Sequence, residues 1–169
     1  MLSFASRNEQ KEILTYFSTR FGIPAASFNG FCFIKSGNTV WAVSDVSGLA
    51  EIVNGLKLET AGIPLLRMKK TLWKPTTAGL QCFGHQATRN TVDLNNETLE
   101  VFLREGFLLG AFCLEPGFVI IKWNGRVLGC GLYSKGRLTS QVPTESWRQI
   151  RVGRISCLSE GLTSNSDWS

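Results

Sequence analysis

Few residues in this 169-residue chain can do chemistry, and their spacing narrows the choice further. The single histidine, His85, follows Gly84 and has no nucleophile beside it in sequence, so it lacks the neighbour a catalytic base would serve. Five cysteines stand at 32, 82, 113, 130 and 157. Their number is odd, no two form a CxxC pair, and all have apolar neighbours. That pattern predicts buried, reduced thiols, not a disulfide framework or a zinc site. The carboxylates are scattered, with none at a spacing that pairs two of them. No GxxxxGK phosphate loop is present. Gly129-Cys130-Gly131 looks like a fragment of a nucleotide fingerprint, but it sits within a strand pattern, where small residues relieve crowding at a bend. Neither an enzyme nor a cofactor site is predicted.

What remains is positive charge. The formal net charge is +5, unevenly spread: residues 1–66 sum to zero, 67–156 carry +7, and 157–169 carry −2. Arg67, Lys69, Lys70 and Lys74 crowd one short stretch. Residues 118–156 set Lys122, Arg126, Lys135, Arg137, Arg148, Arg151 and Arg154 against Glu145 alone. A charge run usually marks a solvated face, but two uncompensated clusters beside a neutral segment favour a polyanionic partner.

The elements that must position these cations are legible in the punctuation. Ser6 and Glu9 form a capping box for a helix from about Arg7 to Phe21, with Ile13, Leu14, Phe17 and Phe21 on one face and Gly22-Ile23-Pro24 ending it. FCFIK and TVWAVS flank Ser36-Gly37-Asn38, a hairpin signal. A short helix over Val46–Asn54 is expected, then a second over Thr76–Phe83 closed by Gly84 in the left-handed conformation. From Arg89 the texture shifts to short strands and glycine turns. TVDL leads into a helix, NETLEVFLRE, capped by Asn95 and stopped at Gly106. FLLGAF, GFVIIKW, RVLGCGLY and RLTSQV follow as strands, with Asn124-Gly125 the clearest hairpin turn. WRQIRVGRI alternates imperfectly and groups its arginines, and the tail LTSNSDWS is expected to fray. Several strands and one helix in so short a span predict a small barrel.

NTVDLNNETLEVFLREG followed by GFVIIKWNGRVLGCGLYSKGRL resembles the PUA domain, named for pseudouridine synthases and archaeosine transglycosylases. The shared pattern is a strand, a short helix ending at a glycine, a Gly-led apolar strand, a turn and a strand rich in small residues. GIPLLRMKKTLWKPTTAGLQCFG and NGRVLGCGLYSKGRLTSQVP are similar to the C-terminal pre-PUA and PUA-like region of rRNA (cytosine-5) methyltransferases of the NOL/NOP/Sun group, down to Gly136, Leu138 and Pro143. Those enzymes attack cytosine with a Pro-Cys cysteine, and none of the five prolines here precedes a cysteine.

The resemblance implies an α+β fold: a small α/β pre-PUA domain over residues 1–86, a PUA-like β-barrel with one short helix over 87–156, and a flexible tail over 157–169. It implies a non-catalytic, cofactor-free module that binds structured RNA, rRNA or tRNA, in ribosome biogenesis or rRNA modification. By motif, Arg104, Gly106, Lys135, Arg137, Ser140 and Gln141 would meet the RNA. Charge adds Arg148, Arg151 and Arg154, and Lys69, Lys70 and Lys74 would extend the track. Trp73, Trp123 and Trp147 are expected in the core. An alternative is a protein-interaction or trans-acting accessory module of an RNA methyltransferase, working with ribosome-assembly or RNA-modification proteins and docking them through Phe28, Phe31, Phe33 and Trp41. MLSFASRNEQ lacks a signal-peptide pattern, and no apolar run nears the roughly 18 residues of a spanning helix, so a cytoplasmic protein with no membrane partner is expected.

Overall fold

Local signals decide the first elements. The computed structural model describes residues 2–45, 62–69 and 72–143. After β1 (Leu2–Phe4), helix α1 (Arg7–Phe21) starts where the capping box places it. Ser6 N donates to the Glu9 carboxylate at 2.8 Å, and Glu9 N donates to Ser6 Oγ at 3.3 Å. Ile13, Phe17 and Phe21 recur every four residues and are buried on one face. A 3-10 turn (Ala25–Phe28) leads to the expected hairpin, β2 (Phe31–Ser36) and β3 (Thr39–Ser44). A second ribbon, β4 (Ile63–Lys69) and β5 (Leu72–Pro75), completes a five-stranded sheet in the order β1-β2-β3-β4-β5. The helix expected over Val46–Asn54, the WRQIRVGRI segment and the tail lie outside the described residues.

Helix α2 (Thr77–Phe83) begins at Thr76, whose Oγ1 accepts from Gly79 N at 2.9 Å. Its end corrects one expectation. Gly84 is not left-handed: its φ is −78° and the chain runs on as a 3-10 turn (Gly84–Gln86). Packing explains the glycine instead, because a Cβ there would stand 3.2 Å from Ile120 Cδ1.

The second sheet is built from β6 (Thr91–Leu94), β7 (Phe107–Leu109), β8 (Gly117–Trp123), β9 (Arg126–Ser134) and β10 (Arg137–Ser140), with helix α3 (Asn96–Glu105) between β6 and β7. Its order is β6-β8-β9-β10-β7, with β6 parallel to β8 and the remaining pairs antiparallel. So α3 links the two margins of a curled sheet and packs Leu99 and Phe102 into its hollow. Asn95 Oδ1 caps the helix by accepting from Thr98 N at 2.8 Å. Asn124 and Gly125 have φ of 50° and 74°, the signs a type I′ turn demands. Of FLLGAF only Phe107–Leu109 pairs as a strand. The fold class is the expected α+β: a mixed first unit, then a curled sheet carrying one helix.

Strand β8 joins the two halves. Phe118 and Ile120 pack with Ile13, Phe17, Phe21 and Leu66 of the first unit, while Val119 and Ile121 pack with Leu94, Leu99, Phe102 and Leu138. Both faces are covered, which is why the run FVII is apolar throughout and does not alternate. Cys130 is buried on this strand's neighbour, but Cys82 and Cys113 are exposed, against the expectation of buried thiols. Helix α2 turns Gly79, Leu80 and Phe83 inward, so position 82 faces solvent. No described helix is long and apolar enough to cross a membrane.

Candidate nucleic-acid interface

The pairing of β10 organises the cations that the sequence singles out. Arg137 stands opposite Leu109 of β7 and Ser134 of β9. Leu138 points inward and is fully buried, so by the two-residue period Arg137 and Thr139 take the other face. There the Arg137 guanidinium lies over the Phe107 ring, 3.9 Å from its centroid, a cation–π contact that holds the charge at the surface. Lys135 sits in the preceding turn with φ of 49° and is exposed.

At the far end of β10, Ser140 N donates to Gly106 O at 2.8 Å. Gly106 ends α3 with φ of 76°, and a Cβ on it would touch nothing within 4 Å. Its need is conformational, and the space before it is open. Gln141 N then donates to Cys130 O at 2.9 Å, fixing the chain as it leaves the sheet. Gln141 Oε1 accepts from Lys74 Nζ at 2.7 Å, which ties this margin to the first unit. Lys74 faces Arg67 across the β4–β5 ribbon, and Lys69 lies two residues further along the same face. The structure thus sets Lys135 and Arg137 at one end of β10 and Gly106, Ser140, Gln141 and Lys74 at the other. At the usual rise per residue, Arg137 to Gln141 covers about 13 Å.

Arg104 is less committed. It lies in the last turn of α3, and its Nε donates to Glu105 at 2.8 Å. Lys69 is exposed at the end of β4. Lys70, Arg148, Arg151 and Arg154 lie outside the described residues. Arg67 was not among the expected contacts. The RMK alternation signals it, because positions 67 and 69 share a strand face. The Lys74–Gln141 bond joins residues far apart in sequence and carries no sequence signal.

Charge around the margin is one-sided. Among the described residues the ion pairs are Arg20–Glu115, Lys35–Glu9, Arg89–Glu115 and Arg104–Glu105, and none involves Arg67, Lys69, Lys74, Lys135 or Arg137. A cleft of about 210 Å3 opens beside the ribbon, lined in part by Arg67, Lys74, Thr76, Thr77 and Gln141. A second, of about 540 Å3, lies between residues 88–91 and 112–115 and holds the mixed charges of Arg89 and Glu115.

Burial pushes the Cys130 thiol up to about 12, which leaves no thiolate at neutral pH. His85 is exposed, with Nδ1 3.2 Å from Cys82 O. Among the described residues no three His, Cys, Asp or Glu side chains gather as metal ligands. The aromatic docking surface expected on the first unit is only partly exposed, with Phe31 and Trp41 half-buried. Phe28 and Phe33 are buried, and Phe31 packs edge-on to Phe83 at 5.1 Å. Trp73 packs on Tyr16 at 5.6 Å, and Trp123 Nε1 donates to Asn96 at 2.9 Å, so both tryptophans serve the structure as expected.

No family model and no curated protein matches the chain by sequence. Solved structures do match its fold. A hypothetical protein, PH0734.1, from the hyperthermophilic archaeon Pyrococcus horikoshii OT3 aligns with a TM-score of 0.50 at 15% identity, covering 88% of this chain and 87% of its own. A conserved PUA domain protein from Thermoplasma acidophilum aligns with a TM-score of 0.48 at 14% identity, covering 88% and 85%. Identity this low speaks to the fold alone.

Proposed function

We propose that the chain is a PUA-like, non-catalytic RNA-binding module that holds structured RNA along the β10 margin. The observation that carries this reading is the line of Lys135, Arg137, Lys74, Arg67 and Lys69, none of them ion-paired among the described residues. Cations left without carboxylate partners are free to exchange counterions for phosphates. The open approach to Gly106 suits close contact with an RNA backbone. With the two units taken as residues 1–86 and 87–156, the Lys74–Gln141 hydrogen bond supports a track of cations running from the first unit to the second, which Arg104 would flank. The sequence resemblance points to rRNA or tRNA as the RNA, in ribosome biogenesis or rRNA modification.

Fluorescence anisotropy with a structured rRNA fragment, repeated across a salt series, tests the reading. Four to six phosphate contacts give a log–log slope of roughly −3 to −5. Arg137→Glu should weaken binding and flatten that slope. No binding at low salt, or full binding by Arg137→Glu, would refute it.

A further inference from the structure

The β4–β5 ribbon sets two positive charges directly opposite each other, Arg67 on one strand and Lys74 on the next. Like charges at facing positions of an antiparallel pair repel and destabilise the ribbon. No described carboxylate relieves them. The pair borders the 210 Å3 cleft, whose described lining of Pro64, Pro75, Pro143, threonines and Gln141 contains no acid. Donors are in surplus there. Lys74 Nζ spends one of its three hydrogens on Gln141, and the Arg67 guanidinium spends none of its five within the described residues. Thr77 Oγ1, on the cleft's lining, is buried and has no partner among the described residues.

We infer that this cleft is a phosphate subsite, taking one phosphate group on the Arg67 guanidinium and the Lys74 ammonium. Arg67 supplies the planar fork that meets two phosphate oxygens at once. Lys74, positioned by Gln141, supplies the second charge, and the anion cancels the repulsion across the ribbon. The RNA reading supplies the carrier of that phosphate, either an internal diester or a terminal monoester of the strand on the β10 margin. The cleft's affinity for the group itself does not depend on that reading.

The test is an NMR titration of the full chain with inorganic phosphate, against chloride at matched ionic strength. The amides of Thr76, Thr77 and Gln141 should shift and saturate with phosphate only. Arg67→Gln should abolish saturation; the Arg67 side chain makes no hydrogen bond within the described residues and its backbone pairing with Thr39 and Lys74 is untouched, so the variant keeps its fold and its dispersed spectrum. Lys74→Gln provides a second variant with the same expected result. In anisotropy, Arg67→Gln should lower the RNA salt slope by about one contact. A strand bearing a 5′-phosphate that outbinds its 5′-hydroxyl twin, with the advantage lost in Arg67→Gln, assigns the site to a terminal monoester. Equal binding, with both strands weakened alike by Arg67→Gln, assigns it to an internal diester. Unsaturable shifts, identical for both anions, would overturn the subsite even if Arg137→Glu still weakens RNA. Saturation without any RNA binding would keep the subsite and remove its carrier.

Discussion

Replacing Asn90 with alanine should remove the joint between α1 and the second sheet. Asn90 is 8% exposed and sits at φ of 51°. Its Nδ2 donates to Arg20 O at 2.7 Å and to the Glu115 carboxylate at 3.0 Å, and its Oδ1 accepts from Glu115 N at 2.9 Å. Its own carbonyl accepts from Ile120 N at 2.9 Å, so the residue cannot drift without disturbing β8. The two bonds to backbone groups contribute about 1 kcal/mol each. Alanine in the left-handed region adds about 1 kcal/mol over asparagine, which tolerates it better. Asn90→Ala should therefore cost about 3 kcal/mol, a fall in the urea midpoint of about 1–3 M at the usual slopes. Asn90→Gly separates the two causes: it loses the same bonds but relieves the backbone, and should be less costly by about 0.5–1 kcal/mol after its own unfolded-state entropy. Equilibrium urea unfolding at neutral pH, followed by tryptophan fluorescence, measures both. A loss under about 1 kcal/mol for alanine, or a glycine variant no better than alanine, would refute the reasoning.

Three further outcomes follow from the same structure. The hydrogen bond from Asn90, aided by Arg89 and Arg20, holds the Glu115 carboxyl below its ordinary value of 4.5. A lowered folded-state value means stability that is present above 4.5 and lost as pH falls through the folded value. Urea midpoints of the wild type and Glu115→Gln should thus differ at neutral pH and converge in acid; a constant gap would count against the linkage. Iodoacetamide followed by mass mapping should modify Cys82 and Cys113 in the native protein and Cys130 only after denaturation, because burial suppresses its thiolate. Gly106→Ala should cost about 1–2 kcal/mol in thermal unfolding, all of it backbone strain since the new methyl meets no atom. It should also weaken RNA beyond that loss, by intruding on the approach to Ser140.

The sequence by itself determined the elements whose causes are local. The Ser6–Glu9 box, the Asn95 cap, the Asn124-Gly125 turn and the helix stop at Gly106 each depend on residues within a few positions, and each stands where their spacing puts it. It also determined the surplus of positive charge, because composition needs no fold. Where its local rule met a tertiary demand, the tertiary demand won. Gly84 was small for Ile120, a residue distant in sequence, and not for a helix stop. Cys82 faced solvent because α2 had other residues to bury, and Phe28 and Phe33 of the first unit went into its core. Only the tertiary structure decided that FVII is covered on both faces, that Asn90 clasps Arg20 to Glu115, and that Arg67 and Lys74 share a cleft with Gln141. The physical reason is common to all three. Strand pairing and sheet packing join residues tens of positions apart, and a periodicity of two or four residues carries no information about which partner lies across the gap.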